Sequence, residues 1–247
     1  MDGVCGGFNR TVPQTPLVAR VLRGTIALLV LAAVVATLVD VASRTSINPL
    51  NFFGFFTIQS NLILAAVYLL SALAPGALAE PTRSLVRAAA TTYIVIVGIV
   101  YATLLAPLEE AGGVPVPWAN VVLHVVTPLY GIVDWLAFRD RVRLPLDRLW
   151  VVLLYPAVWL VVVLLRGATD GWVPYPFLNP DQGYAAVAGY CLVILVHSSS
   201  SVRLSSGAAG SGGASSVRRP AELGRTAGSA TRRPAGSVTP RGSGSAA

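Results

Sequence analysis

An apolar stretch that reaches or approaches the length needed to cross a lipid bilayer recurs six times in this chain, at residues 17–41, 52–73, 85–105, 118–138, 149–165 and 183–202. A hydrocarbon core about 30 Å thick needs about 20 predominantly apolar residues per helix, because every backbone N–H and C=O within it must be paired inside the segment. The 247 residues are 54% hydrophobic and only 12% charged, with a mean hydropathy of +0.68, which is too apolar for an ordinary soluble domain of this length. The expected fold is therefore all-α. It is a polytopic membrane bundle of about six transmembrane helices over residues 17–202, preceded by a short segment, 1–16, and followed by a tail, 203–247.

Arginine supplies every basic side chain, 18 in all, and its distribution among the connections sets the expected orientation, since cytoplasmic loops carry an excess of positive charge. Arg10, Arg20 and Arg23 belong to the N-terminal side, Arg83 and Arg87 to the second loop, Arg139, Arg141, Arg143 and Arg148 to the fourth, and seven more to the tail. The first and fifth loops hold only Arg44 and Arg166, and the third holds none. Sixteen against two implies a multi-pass protein of the cell membrane with both termini cytoplasmic. The net charge of +7 then reports topology and contact with membrane lipids rather than nucleic acid, since no aromatic-interleaved basic groove or zinc-finger spacing accompanies it. A cleaved secretory signal fits residues 17–41 less well, because the leader is long and Asp40 sits poorly in a small-residue cleavage site. Cys5 and Cys191 are expected in different compartments, so no disulfide is foreseen, and no metal or cofactor spacing appears. From Ser198 onward the chain is Ser, Gly, Ala, Pro and Arg with few large apolar residues, a composition expected to stay disordered.

Polar groups are costly in hydrocarbon, so those inside the spans are the natural place to look for function. In the second span Thr57, Ser60 and Asn61 are spaced i, i+3, i+4 on one helix face,. In the fourth, Asn120, His124, Thr127 and Gly131 follow the same spacing. With the topology above both spans enter from outside, and at about 1.5 Å per residue Thr57 and His124 come to lie at one level, roughly 8 to 9 Å deep. A neutral imidazole there can take the proton of the hydroxyl and make it a nucleophile able to attack an ester carbonyl, with Ser60 or Asn61 donating to the oxyanion. The plainer reading of Thr57 and Asn61 is interhelical hydrogen bonding.

Other ionisable groups are less well placed. Asp134 lies about 15 Å deeper than His124, too far for a triad, and is expected at the inner interface or paired with the arginines at 139–148. Asp40, near the outer end of the first span, and Asn120 are the candidates for orienting His124. His197 is expected about 12 Å below His124, too far for the two to share a metal or a haem. Glu109 and Glu110 read as a solvated pair. The segment from Gly171 to Pro180 carries three prolines and three large aromatics, Trp172, Tyr175 and Phe177. It suits either an interfacial anchor or a lid over a pocket between the outer helix ends.

The segments Phe55-Phe56-Thr57-Ile58-Gln59-Ser60-Asn61-Leu62, Leu123-His124-Val125-Val126-Thr127-Pro128-Leu129, Asp134-Trp135 and Tyr175-Pro176-Phe177-Leu178 resemble, in order and placement, the bacterial six-span Pr6Pr membrane proteins. These are in turn distantly similar to the animal androgen-induced and androgen-dependent membrane hydrolases. The resemblance spans about residues 20–196. It implies a membrane-embedded threonine hydrolase acting on fatty-acid esters, with the nucleophile at Thr57 and the histidine at His124. Two functions are thus in view: a lipid-ester hydrolase, and a non-catalytic transporter, lipid-binding scaffold or partner subunit that uses the same stripes for packing.

Overall fold

Helix α1 runs over Leu17–Arg44, a length of about 42 Å at 1.5 Å per residue and more than a hydrocarbon core requires. It starts directly after Pro16, whose fixed φ suits a helix entrance,. A short helix α2, Pro49–Phe52, follows, capped by the Asn48 side chain on the Leu50 N–H. Four more long helices succeed it: α3 (Phe56–Leu73), α4 (Thr82–Leu105), α5 (Pro117–Ala137) and α6 (Trp150–Thr169). This is a computed structural model; it describes residues 14–107, 115–142, 144, 150–183, 185, 187 and 189. Five helices among the described residues are long and apolar enough to cross a membrane, and no strand occurs among those residues. Glu109, Glu110, Cys5, Cys191, His197 and the tail lie outside the described residues, as does most of the sixth expected span, 183–202.

Helix α1 packs along α3, α3 along α4, α4 along α5, and α5 returns against α1, while α6 leans on α4 from outside this ring. Small side chains allow the close approach, as is usual where helices pack without a hydrophobic driving force. A Cβ added at Gly98 of α4 would sit 2.6 Å from the Cβ of Pro128 in α5, and one at Gly131 would sit 2.9 Å from Ile94. The outward faces are apolar, including Leu154, Val158, Val161 and Leu165 at helical spacing on α6. Apolar side chains outside, together with charged and hydroxyl side chains buried within the otherwise hydrophobic core, suit lipid as the solvent,.

Two helices carry a π-helical turn. In α4 it is Tyr101–Leu105, with the Ala106 N–H reaching back to the Tyr101 carbonyl. In α5 it is Val122–Val126, with the Thr127 N–H reaching the Val122 carbonyl. Each ends two residues before a proline, Pro107 and Pro128. A proline ring collides with the carbonyl four residues back and donates no hydrogen bond, and a locally widened turn relieves both problems.

Four charged side chains lock the far end of the ring. Arg23 of α1 donates from Nε to Asp134 of α5 at 2.7 Å and from Nη1 and Nη2 to both oxygens of Asp140 at 2.8 and 3.1 Å. Arg87 of α4 donates to Asp140 at 2.6 Å and pairs with Asp134 at 3.3 Å. None of the four is more than 3% exposed, and two cations balance two anions. Burial pushes the Asp140 carboxyl up, but the hydrogen bonds and charges of Arg23 and Arg87 outweigh it and hold the group well below the usual carboxylate range,. Arg23 and Arg87, counted above with the N-terminal side and the second loop, are buried side chains, and both pair with Asp134, for which the arginines at 139–148 were one of two expected settings. Of those arginines, Arg141 lies over the Trp135 ring at 4.4 Å.

Candidate functional site

The stretch expected to be one helix over 52–73 breaks between Phe52 and Phe56, and that break creates the site. Three groups hold it open. The Gln59 amide donates to the Phe53 carbonyl, the Trp159 indole donates to the Gly54 carbonyl, and the Trp172 ring lies where a Cβ at residue 54 would sit, 2.5 Å from it. Only glycine fits at that position. Thr57 consequently falls in the first turn of α3 instead of well inside a helix, where backbone N–H groups lack intrahelical partners.

A side chain from far along the chain fills that need. The Thr57 N–H donates to the Tyr175 hydroxyl at 3.2 Å, and the same hydroxyl is 3.3 Å from Thr57 Oγ1. On its other side Thr57 Oγ1 lies 3.2 Å from His124 Nε2. His124 Nδ1 is 3.1 Å from the Asn120 carbonyl oxygen. A carbonyl oxygen only accepts, so the proton resides on Nδ1, and Nε2 presents its lone pair to the threonine hydroxyl. The Tyr101 ring stacks on the imidazole with centroids 4.5 Å apart, and its hydroxyl accepts from the Asn120 amide at 3.0 Å. The histidine is therefore held at its edge and across its face, and both Tyr101 and His124 lie in the π-helical turns.

The remaining sequence candidates separate into two groups. Asn61 is fully buried and binds helices together: its amide donates to the Thr57 and Leu123 carbonyls, and its oxygen accepts from Thr127 at 2.9 Å. Both roles of the Asn61 side chain are thus engaged within the bundle, and it lines neither cavity that Thr57 borders. Ser60 is buried but lines neither cavity that Thr57 borders. Asn120 meets His124 through its backbone oxygen, while its side-chain amide donates to Tyr101. Asp40 reaches Arg44 instead, at 2.8 to 3.1 Å, although it lines the same chamber as His124. That chamber has a volume of about 390 Å³ and is bordered by Thr37, Asp40, Thr57, Asn120, His124 and Tyr175. Its size lies in the range of small-molecule sites.

The aromatic segment packs into the bundle and borders both cavities that Thr57 lines. Tyr175, Phe177 and Leu178 are buried; Tyr175 stacks on Phe177 at 5.3 Å and meets Phe55 edge-on at 5.7 Å. Trp172 meets Phe55 edge-on and carries Arg166 over its ring at 4.2 Å. Burial pushes the Tyr175 hydroxyl up, so it stays protonated and able to donate. Nothing in local sequence distinguished Tyr175 from its aromatic neighbours, and Tyr101 had no signal at all; only their partners across the bundle identify them.

No protein family, curated protein or solved structure matches the chain. What the arrangement can do follows from its chemistry. A hydroxyl flanked by an accepting imidazole nitrogen and a donating phenol, beside a chamber of substrate size, has the parts of an activated oxygen nucleophile.

Proposed function

We propose that this chain is a six-span protein of the cell membrane, with both termini cytoplasmic, and that it hydrolyses carboxylic esters of lipids with Thr57 as nucleophile. The membrane part is supported by five apolar helices among the described residues and by the arginine distribution. The single observation that carries the chemistry is the 3.2 Å contact between Thr57 Oγ1 and His124 Nε2, with the opposite ring nitrogen held by a carbonyl. The resemblance to the Pr6Pr proteins and their animal relatives points to the same two residues, and we place the chain with that family on this ground.

In this mechanism His124 Nε2 takes the Thr57 proton as the oxygen attacks the ester carbonyl carbon. The Tyr175 hydroxyl, already accepting from the Thr57 N–H, directs its own proton toward the negative charge that develops on the carbonyl oxygen as the C=O π bond opens. The tetrahedral intermediate collapses with cleavage of the bond to the alcohol oxygen, which receives the proton from His124. Water, deprotonated by the same imidazole, then attacks the acyl-threonine; the acid leaves and the proton returns to Thr57.

The test is labelling of the purified full-length protein with a fluorophosphonate probe. Wild type is expected to label and both Thr57→Ala and His124→Ala to lose the signal; equal labelling of all three ends the proposal. A non-catalytic role is the second reading, favoured by Asn61 and Thr127, whose side chains serve interhelical hydrogen bonds. It requires Thr57→Ser and Thr57→Ala to behave alike, whereas the hydrolase requires serine to retain part of the labelling.

A further inference from the structure

Thr57 stands on a partition between two spaces. One is the chamber that His124 borders; the other is a narrower cleft of about 60 Å³ among α3, α4, α6 and the turn at residues 175–178. Thr57, Leu105 and Tyr175 line both, but His124 lines only the larger. The two spaces also differ chemically. Apart from the Thr57 and Tyr175 hydroxyls and the Trp159 indole, which donates to the Gly54 carbonyl, the walls of the cleft are hydrocarbon, including Val97, Val100, Leu160 and Phe177. The chamber carries Thr37, Asp40, Asn120 and His124.

Resting on the hydrolase reading, we infer that the cleft receives the acyl chain of the substrate ester and the larger chamber its alcohol portion. Proton transfer dictates this allocation. The imidazole that removes the Thr57 proton must hand it to the departing alcohol oxygen, so the scissile C–O bond points toward His124 and the alcohol portion lies in the space His124 borders. The acyl carbon is bonded to Thr57 Oγ1 on the opposite side of that bond, and its chain runs away from His124 into the apolar cleft. A hydrocarbon chain is also the portion of an ester best suited to such walls. The order of release follows. The alcohol leaves first through the chamber, and the water that cleaves the acyl-threonine enters by the same route, where His124 meets it. The acyl group meanwhile stays in the cleft until the carboxylic acid is free.

The allocation predicts which substitutions change which selectivity. Full-length protein in detergent micelles is assayed with two series: p-nitrophenyl esters from acetate to octanoate, and butyrate esters from methyl to octyl. Leu160→Trp in the cleft is expected to lower the octanoate-to-acetate ratio of kcat/KM by about tenfold or more and to shift the octyl-to-methyl ratio by less than about twofold. Val41→Trp in the chamber is expected to do the reverse. Should Leu160→Trp fail to yield folded protein, Leu153→Phe probes the same wall. If the effects are exchanged between the variants, or neither ratio moves while wild type turns esters over, the allocation is wrong and the hydrolase stands. If wild type neither hydrolyses these esters nor labels at Thr57, the hydrolase reading fails and takes the allocation with it.

Discussion

Replacing Asp140 with alanine removes three hydrogen bonds at once, those from Arg23 Nη1, Arg23 Nη2 and Arg87 Nη1, and leaves two guanidinium groups facing the single carboxylate of Asp134. Removing one partner of a buried ion pair costs about 3–5 kcal/mol, because the remaining charge is neither hydrated nor compensated. Asp134→Ala removes one short hydrogen bond, from Arg23 Nε at 2.7 Å, and a longer pairing with Arg87 at 3.3 Å. At about 1.5–3 kcal/mol for a hydrogen bond to a charged group, Asp140→Ala should be the more damaging of the two. The assay is unfolding of the purified protein in mixed micelles titrated with sodium dodecyl sulfate. The stronger check is a double substitution. Arg23→Met in the Asp140→Ala background leaves Arg87 and Asp134 as a neutral pair, so the double variant should be more stable than Asp140→Ala alone, since apolar replacement of buried charge is neutral or stabilising. If Asp140→Ala costs under about 1 kcal/mol, or if removing Arg23 brings no recovery, charge balance is not what holds this end of the bundle together.

Tyr175→Phe removes the proposed oxyanion donor with little change in shape; it should slow ester turnover by about 10²–10³-fold, read as a fall in kcat with KM nearly constant. Turnover at the wild-type rate would exclude the phenol from the chemistry. Asn61→Leu leaves Thr127 and two backbone carbonyls without the Asn61 side chain, and should destabilise the protein by about 1–3 kcal/mol in the same unfolding titration; an unchanged midpoint would mean water replaces those bonds. The depressed Asp140 carboxyl also sets a pH limb: its stabilisation is complete above the unfolded value of about 3.9 and is lost as pH falls from there toward the lower folded value. Unfolding free energy should therefore carry this group's full contribution, with no pH dependence from it, between about pH 5 and 7 and decline below about pH 4, with a shallower decline in Asp140→Asn; equal slopes would assign the acid limb elsewhere.

The helical, membrane-suited fold was legible in the sequence because hydropathy is a local, additive property. A run of apolar residues needs no knowledge of its neighbours to favour lipid and to pair its own backbone. The polar stripes were legible for a related reason: helical spacing alone puts Thr57 with Asn61, and Asn120 with His124 and Thr127, on shared faces. Both π-helical turns also had local causes in Pro107 and Pro128. Charge was less transparent. Arg23 and Arg87 have the same sequence character as the loop arginines, and burial distinguishes them only once Asp134 and Asp140 arrive from another part of the chain.

What only the tertiary structure decided is which groups meet. The break before Phe56 exists because Gln59, Trp159 and Trp172 stabilise it, two of them more than a hundred residues downstream. Tyr175 reaches Thr57 across a sequence separation of 118 residues, and Tyr101 covers an imidazole on a different helix. Hydrogen bonds and ring contacts of this kind depend on distances within a few tenths of an ångström between segments that share no local pattern. The sequence alone determined the chemical inventory and the solvent in which it folds; packing of α1, α3, α4, α5 and the 171–182 segment determined which hydroxyl, which imidazole and which phenol face one another.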